Sequence, residues 1–216
     1  MKKIKAIFFD LDGTLVDTEK YYWLGTYDWM KELGFKGKEE DILPIIGKDM
    51  NGTYAYLKTL LPQYSIEALK KANDHYFIYE NPIDYPNILF EGTKEGLKRL
   101  KNEGYILAIC SMNYVPEIER IAKLCGLDEL FDGYFSGEDC PHNKPAPDIY
   151  LAALNYFGLN KDEAVVIEDS YSGIKAGKSS GILTIARKEE RFKVHQEEAD
   201  YTIRNLDELD KYLKEL

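Results

Sequence analysis

Short apolar runs alternate along the chain with longer segments in which apolar residues recur at helical spacing. Runs of four to six apolar residues, bounded by polar residues or glycine, are typical of buried strands. The predicted strands are residues 4–9, 105–110, 133–136, 164–167, 182–185 and 201–203. Because helical segments separate these strands, the pattern predicts an α/β fold with a doubly wound parallel sheet.

Four predicted helices follow the first strand before any second strand occurs. They cover residues 18–35, 39–46, 51–61 and 65–79, and Gly47, Gly52 and Pro62 punctuate this helical region. Pro82 and Pro86 mark the return to the alternating pattern. We therefore expect a helical cap domain at residues 17–86, inserted into a catalytic core formed by residues 1–16 and 87–216. The predicted helices of the core are residues 92–102, 116–125, 147–157, 171–180 and 206–216.

Length and charge limit the functions that the chain can have. Its 216 residues can hold one sizeable core and a small second domain. A net charge of -10 argues against general binding to nucleic acid or to anionic membranes. No apolar stretch reaches transmembrane length, and three cysteines without metal-ligand spacing suggest free thiols. We expect a cytoplasmic protein, a monomer or weak dimer, whose partner is a small molecule.

Polar residues whose side chains could take part in catalysis follow three of the predicted strands. Asp10 and Asp12 follow the first strand and lead into the turn at Gly13, Ser111 follows the second, and the pair 168–169 follows the run at 164–167. Open parallel sheets bind ligands at the carboxyl ends of their strands. The sequence therefore predicts that these side chains share one crevice.

Four motifs occur in order and cover nearly the whole chain. They are Asp10-Leu11-Asp12-Gly13-Thr14, Ser111-Met112-Asn113, Lys144-Pro145-Ala146-Pro147-Asp148, and Glu168-Asp169-Ser170 with Ser172-Gly173. The set resembles the haloacid dehalogenase-like superfamily, in particular small phosphatases and beta-phosphoglucomutase-like enzymes with a helical cap. The resemblance implies a Rossmann-like core and phosphoryl transfer, which depends mainly on positioning and charge neutralisation.

By this resemblance, Asp10 is the nucleophile that forms an aspartyl-phosphate, and Asp12 is the general acid and base. Four carboxylates in one crevice would repel each other and a phosphate, so a hard cation such as Mg²⁺ is expected. The implied ligands are the Asp10 side chain, the Asp12 carbonyl and Asp169. Glu168 is either a further ligand or a partner of one, and the alternative for both acids is capping of the helix at 171–180.

The resemblance also assigns the phosphate-binding groups. The Ser111 hydroxyl and the amides of Met112 and Asn113 would donate to phosphate oxygens, and Lys144 would balance their charge. The alternative for Ser111 is capping of the helix near Pro116.

The inserted domain departs from the mutase pattern at three positions. Tyr22 stands where mutases of this type have a histidine, Met50 where they have an arginine, and Ala72 where they have a lysine. A shift of one residue in the alignment would bring Lys48 or Lys71 into play. Seven tyrosines of this domain could stack on a substrate, although helix packing is the simpler interpretation for each one except Tyr22. They are Tyr21, Tyr22, Tyr27, Tyr54, Tyr56, Tyr76 and Tyr79.

The expected function is therefore that of a Mg²⁺-dependent phosphatase. Its substrate would be a small phosphomonoester, with sugar phosphates favoured over glycolate or nucleoside phosphates. A hexose-phosphate mutase with altered cap residues is the alternative. A non-catalytic binding protein on the same fold would show damaged motifs, and none is damaged here.

Overall fold

A parallel sheet of six strands forms the centre of the larger part of the molecule. The computed structural model describes residues 4–48 and 50–215. The strands are β1 (Ala6–Phe9), β2 (Ile106–Ser111), β3 (Gly133–Ser136), β4 (Ala164–Glu168), β5 (Leu183–Arg187) and β6 (Tyr201–Ile203). Their order is β3-β2-β1-β4-β5-β6, and every neighbouring pair is parallel. The predicted doubly wound sheet is confirmed.

Helices connect the strands and also build the inserted segment. They are α1 (Thr18–Glu32), α2 (Met50–Leu60), α3 (Ile66–His75), α4 (Thr93–Asn102), α5 (Val115–Leu124), α6 (Asp148–Phe157), α7 (Tyr171–Ser180) and α8 (Leu209–Glu215). None of the described helices is long and apolar enough to cross a membrane.

Four predicted helices differ from the observed ones. The helix predicted for residues 18–35 ends at Glu32. The segment Glu39–Ile45, which contains Pro44, is a 3₁₀-helix, since proline removes a hydrogen bond that an α-helix needs. The helix predicted for residues 65–79 ends at His75, and Tyr76–Glu80 continues it as a wider π-turn. The last helix begins at Leu209, three residues later than predicted, and residue 216 lies outside the described part of the chain.

The chain forms two compact units. One consists of Met1–Asp17 and Tyr85–Leu216, and the other of Thr18–Asp84. The segments at which the chain leaves and re-enters the first unit lie side by side, since the Asp17 amide donates to the Ile88 carbonyl at 2.7 Å. Arg191 fixes the same point, because its guanidinium donates to both oxygens of Asp17, at 2.5 and 2.9 Å.

The helical unit has its own apolar core. Trp29, Met30, Ile42 and Leu69 are among its fully buried residues. Most of its tyrosines contribute to this packing, as the structure buries Tyr54 and packs Tyr27, Tyr56 and Tyr76 against the same core. Tyr22 is 45 % exposed and Tyr79 is 74 % exposed.

Strand β1 is buried along its whole length between β2 and β4. Helix α7 packs closely against β4 and β5, and Gly177 makes this close approach possible. A Cβ atom at Gly177 would lie 2.5 Å from Thr184 Oγ1 and 3.2 Å from Val166 Cγ1. Thr184 is fully buried, and its hydroxyl donates to the Ile182 carbonyl at 3.0 Å, so it has little room to move.

We predict that Gly177→Ala lowers the free energy of unfolding. The alanine gains about 1 kcal/mol in helix propensity, but overpacking against the sheet costs about 1–3 kcal/mol. Urea denaturation followed by circular dichroism measures the difference. Ser179→Ala, at an exposed position of the same helix, is the control and should change stability little. A Gly177→Ala protein as stable as the original would contradict this account of the packing.

Candidate active site

The carboxyl ends of three adjacent strands bring the acidic residues together. Phe9, the last residue of β1, is level with Ile109 on β2 and with Ile167 on β4. The strands therefore end at the same edge of the sheet. Asp10 follows directly, is 8 % exposed, and its amide donates to the Ile167 carbonyl at 2.9 Å.

Lys144 is the cation of this site. Its side chain is 4 % exposed, and its ammonium donates to Asp10 Oδ1 at 2.5 Å, Glu168 Oε1 at 2.7 Å and the Cys110 carbonyl at 2.9 Å. All three donors of the ammonium are thus in use. Burial alone lowers the pKa of Lys144, but the charges of Asp10 and Glu168 more than offset this, so the pKa lies above its ordinary value. The lysine is therefore charged.

Protein donors bind both oxygens of the Glu168 carboxylate. It is fully buried, and its Oε1 accepts from Lys144 and from the Tyr150 hydroxyl, both at 2.7 Å. Its Oε2 accepts from the amides of Asp169 and Ser170 and from the Ser170 hydroxyl, at 3.1, 3.4 and 3.2 Å. Both oxygens are thus occupied by protein donors.

Tyr150 is a residue of this site that the sequence analysis missed. Helix α6 places its fully buried ring 5.2 Å from the Lys144 ammonium, in a cation–π contact, while its hydroxyl binds Glu168. Burial and the charge of Glu168 raise the pKa of Tyr150 well above its ordinary value, so the hydroxyl is a donor. A tyrosine in the first turn of an amphipathic helix resembles an ordinary core residue, so the sequence held no signal for this contact.

Asp169 approaches the turn after β1 closely. Thr14 Oγ1 donates to Asp169 Oδ1 at 3.1 Å. Gly13 has a φ of +80°, and a Cβ atom there would lie 2.2 Å from Asp169 Oδ2. Glycine is therefore required both by the backbone conformation and by the space. The cap of α7 is Ser170, whose hydroxyl accepts from the Gly173 amide at 3.0 Å, so Asp169 is not used as the helix cap.

Ser111, Asn113 and Asp12 form a hydrogen-bonded chain at the edge of the same crevice. The Asn113 side-chain amide donates to Asp12 Oδ2 at 2.7 Å and to Ser111 Oγ at 3.3 Å, and the Asn113 backbone amide donates to Ser111 Oγ at 3.1 Å. Ser111 therefore does not cap α5, whose N-cap is Tyr114. The Met112 side chain packs against Gly137, where a Cβ atom would meet its sulfur at 2.4 Å.

The acids fit a hard divalent cation. One carboxylate oxygen from each of Asp10, Glu168 and Asp169 lies within 4.8 Å of the others. Burial raises the pKa of Asp10 well above its ordinary value, and Glu168 and Asp12 add to this effect while Lys144 opposes it. The three carboxyl groups thus converge beside one buried lysine, and oxygen ligands of this kind suit Mg²⁺.

Cys110 is not part of this chemistry. Its side chain is buried in the core beside Phe8 and Tyr150, and burial raises the pKa of the thiol well above its ordinary value. A neutral, buried thiol is a poor nucleophile.

Tyr22 and Lys48 lie in the helical unit, where they line a cavity of about 430 Å³. Aromatic and aliphatic side chains form most of its wall, among them Trp23, Tyr54 and Phe77. Lys48 is the only lysine or arginine among the described residues that line it, and it is accompanied by Glu19 and Asp74. The cavity thus carries more acids than cations.

Comparison with known proteins agrees with this geometry. The chain is 32% identical over 186 residues to the pyrophosphatase PpaX of Bacillus velezensis, covering 85% of this chain and 82% of that protein. It is 30% identical over 216 residues to a putative PpaX of Caldanaerobacter subterraneus, covering 98% and 96%.

Solved structures of similar fold cover almost the whole chain. The fold matches a putative beta-phosphoglucomutase of Thermotoga maritima with a TM-score of 0.77, 26% identity, and coverage of 99% and 100%. It also matches a predicted phosphoglycolate phosphatase of Haemophilus somnus with a TM-score of 0.76, 23% identity, and coverage of 98% and 99%. The profile of the haloacid dehalogenase-like hydrolases matches residues 7–187, so the chain belongs to that family and is an enzyme of the phosphohydrolase type.

Proposed function

We propose that the protein is a Mg²⁺-dependent phosphatase that hydrolyses a small phosphomonoester through an aspartyl-phosphate. The observation that carries this proposal is the arrangement around Asp10. Its carboxylate lies at the end of a central strand, is held by Lys144 at 2.5 Å, and has Asp169 and Glu168 as close neighbours. Such a fixed carboxylate beside a buried cation suits in-line attack on phosphorus.

In the first step the Asp10 carboxylate attacks phosphorus, and the bond from phosphorus to the ester oxygen breaks. Asp12 gives its proton to the leaving alkoxide, which departs as an alcohol. Asn113 orients Asp12 for this role, because its side-chain amide donates to Asp12 Oδ2 at 2.7 Å. Ser111, which is 1 % exposed, retains its hydroxyl proton for a phosphate oxygen while its oxygen accepts from Asn113.

In the second step water attacks the phosphorus of the aspartyl-phosphate. Asp12, now ionised, takes a proton from the water, the bond between phosphorus and the Asp10 oxygen breaks, and inorganic phosphate leaves. The Lys144 ammonium stabilises the Asp10 carboxylate that is released, since it already lies 2.5 Å from Oδ1. Both active-site carboxyls thereby return to their starting states.

We assign Asp10, Asp169 and the Asp12 carbonyl to Mg²⁺. Glu168 has no free oxygen in the observed arrangement, so we assign it to holding Lys144 and Tyr150 in place. When bound, the ion would neutralise charge on the phosphoryl oxygens. The Met112 amide and the Ser111 hydroxyl complete the proposed phosphate site. The Asn113 amide, which was also expected there, donates to Ser111 Oγ in the observed arrangement and would have to release it to bind phosphate.

The helical unit supports hydrolysis over the mutase alternative. A mutase of this type binds a second phosphate, whereas Lys48 is the only cation among the described residues lining the cavity of this unit. Burying an unpaired anion costs several kcal/mol.

Sugar phosphates remain the favoured substrates, and Tyr22 and Lys48 are the proposed contacts. Relatives named as pyrophosphatases make pyrophosphate a further compound to test. We also propose a cytoplasmic location and a monomer or weak dimer, and the free thiols support the location.

Asp10→Asn should fold normally and lose phosphatase activity by several orders of magnitude, because an amide cannot form the acyl-phosphate. Phosphate release from a panel of phosphorylated metabolites measures activity, and mass spectrometry of acid-quenched protein detects the covalent phosphate. Asp139→Asn, at an exposed position, serves as the control. Normal turnover by Asp10→Asn would exclude Asp10 as the nucleophile.

Asp169→Asn should weaken Mg²⁺ binding by about tenfold or more, as loss of a ligand is at least as severe as loss of a ligand's partner. Calorimetric titration of the substrate-free protein with Mg²⁺ tests this directly. Chelation by EDTA should also abolish turnover, and added Mg²⁺ should restore it. Asp162→Asn, an exposed acid of the same unit, should bind as the original protein does. Full activity after complete chelation would refute the metal assignment.

A sugar 1-phosphate that is accepted should yield free sugar and inorganic phosphate, and a hexose bisphosphate should not stimulate isomerisation. Nuclear magnetic resonance of the products distinguishes the two reactions in one experiment. The triple variant Tyr22→His, Met50→Arg, Ala72→Lys should bind a bisphosphate more tightly, because it adds cations to the helical unit. Isomer formation faster than phosphate release in the unmodified protein would show that the enzyme is a mutase.

A further inference from the structure

Arg187 differs from every other arginine of this chain. The sequence contains five arginines. Four of them form ion pairs with carboxylates: Arg99, Arg120, Arg191 and Arg204. Within the part of the chain that the structure describes, Arg187 has no ion pair, although the chain has 38 acidic residues. An unpaired guanidinium in such an acidic protein requires an explanation.

The guanidinium of Arg187 is half-buried and firmly placed. Arg187 is the last residue of β5. Its guanidinium stacks on the Phe90 ring, with Cζ 3.1 Å from the ring centroid. Its Nη1 makes one long hydrogen bond, to the Gly13 carbonyl at 3.4 Å. Burial lowers the pKa of Arg187 from its ordinary value, and the nearby charges of Asp169 and Asp17 act in the opposite direction. Stacking occupies the face of the guanidinium and leaves most of its edge donors available.

Arg187 lines a cavity of about 510 Å³ whose wall does not include the proposed catalytic residues. Thr14, Thr93, Arg204 and Asn205 also line it, whereas Asp10, Asp12, Ser111 and Lys144 do not.

Two carboxylates share the wall of this cavity. Asp207 already accepts from Arg99 at 2.7 Å, and Glu91 is exposed to solvent. Neither carboxylate forms an ion pair with Arg187, so within the described part of the chain the guanidinium remains an unpaired cation in a polar wall. The size of the cavity leaves room for a molecule larger than a single phosphate.

We propose that this cavity is a second binding site, which takes the oxyanion group of a small phosphorylated or carboxylated metabolite on Arg187. A guanidinium edge matches two oxygens of a phosphate or carboxylate, and the Phe90 ring holds it in position for that contact. Thr14 connects the cavity to the catalytic centre, because its hydroxyl donates to Asp169. A ligand bound there would lie beside the turn that follows β1.

Calorimetric titration at constant ionic strength tests the site, with inorganic phosphate and malonate as the two probes. Arg187→Gln should weaken binding of at least one probe by tenfold or more. Arg120→Gln, which removes an arginine paired with Glu117 on α5, should leave binding unchanged. Phosphate but not malonate binding indicates a phosphorylated ligand, and the reverse indicates a carboxylated one. Neither probe binding to the original protein would overturn the proposal.

Two further variants separate this site from the catalytic one. Ser111→Ala changes the proposed catalytic phosphate site alone, so binding that Ser111→Ala abolishes and Arg187→Gln preserves belongs to catalysis and refutes a second site. If Arg120→Gln weakens probe binding as much as Arg187→Gln does, the probes bind through general attraction to positive charge. That result also refutes a second site. If the protein shows no phosphatase activity, the titrations still test the second site, because they measure binding and require no turnover.

Chemical modification covers the case in which Arg187→Gln does not fold. Phenylglyoxal reacts with exposed guanidinium edges, and peptide mapping by mass spectrometry locates the product. In the original protein, phosphate or malonate should slow modification of Arg187 at least fivefold and leave Arg120 unaffected. Equal modification of Arg187 with and without both probes would contradict the proposal.

Discussion

The contact of one buried ammonium with two carboxylates holds the candidate active site together. Lys144 lies in a loop between β3 and α6, Asp10 follows β1, and Glu168 ends β4. Each of these groups would be costly to bury alone, since removing one partner of a buried pair typically costs about 3–5 kcal/mol. Three separate segments of the chain thus become dependent on each other. The same contact gives the site a buried compensating cation, so the architecture and the electrostatics around Asp10 have one origin.

The division of labour among the acids follows from hydrogen-bond capacity. Glu168 accepts five donors and behaves as a fixed structural anion, whereas Asp10 accepts from Lys144 and Asp169 accepts from Thr14. Ser170 is the N-cap of α7, so the neighbouring Asp169 is not needed as the helix cap. Three neighbouring acids therefore have different environments within a few ångströms.

The order of the elements and the chemistry of the strand ends could be predicted from the sequence, because apolar runs that end in Asp10, Ser111 and Glu168 carry a strong local signal. The partners of these residues could not. Whether Ser170 or Asp169 caps a helix depends on backbone geometry that both residue types allow. Tyr150 and Arg187 contact residues far away in the chain, and nothing in their own neighbourhoods marks them. The helical unit was the least predictable part, since Pro44 and the turn at Tyr76–Glu80 break the helical period.

The position of β1 at the centre of the sheet has a consequence for how the protein acquires its structure. Ala6 pairs with Ile106 on one side and with Ala164 on the other, so β1 is not enclosed on both sides until most of the following chain has been made. Contacts between such distant segments form slowly, because long loops must close first. The helical unit Thr18–Asp84 is continuous in sequence and needs no such wait. During synthesis the β4 side of β1 therefore stays unpaired, with Asp10 beside it, until β4 is complete, and a chain with such an exposed strand edge is prone to aggregation.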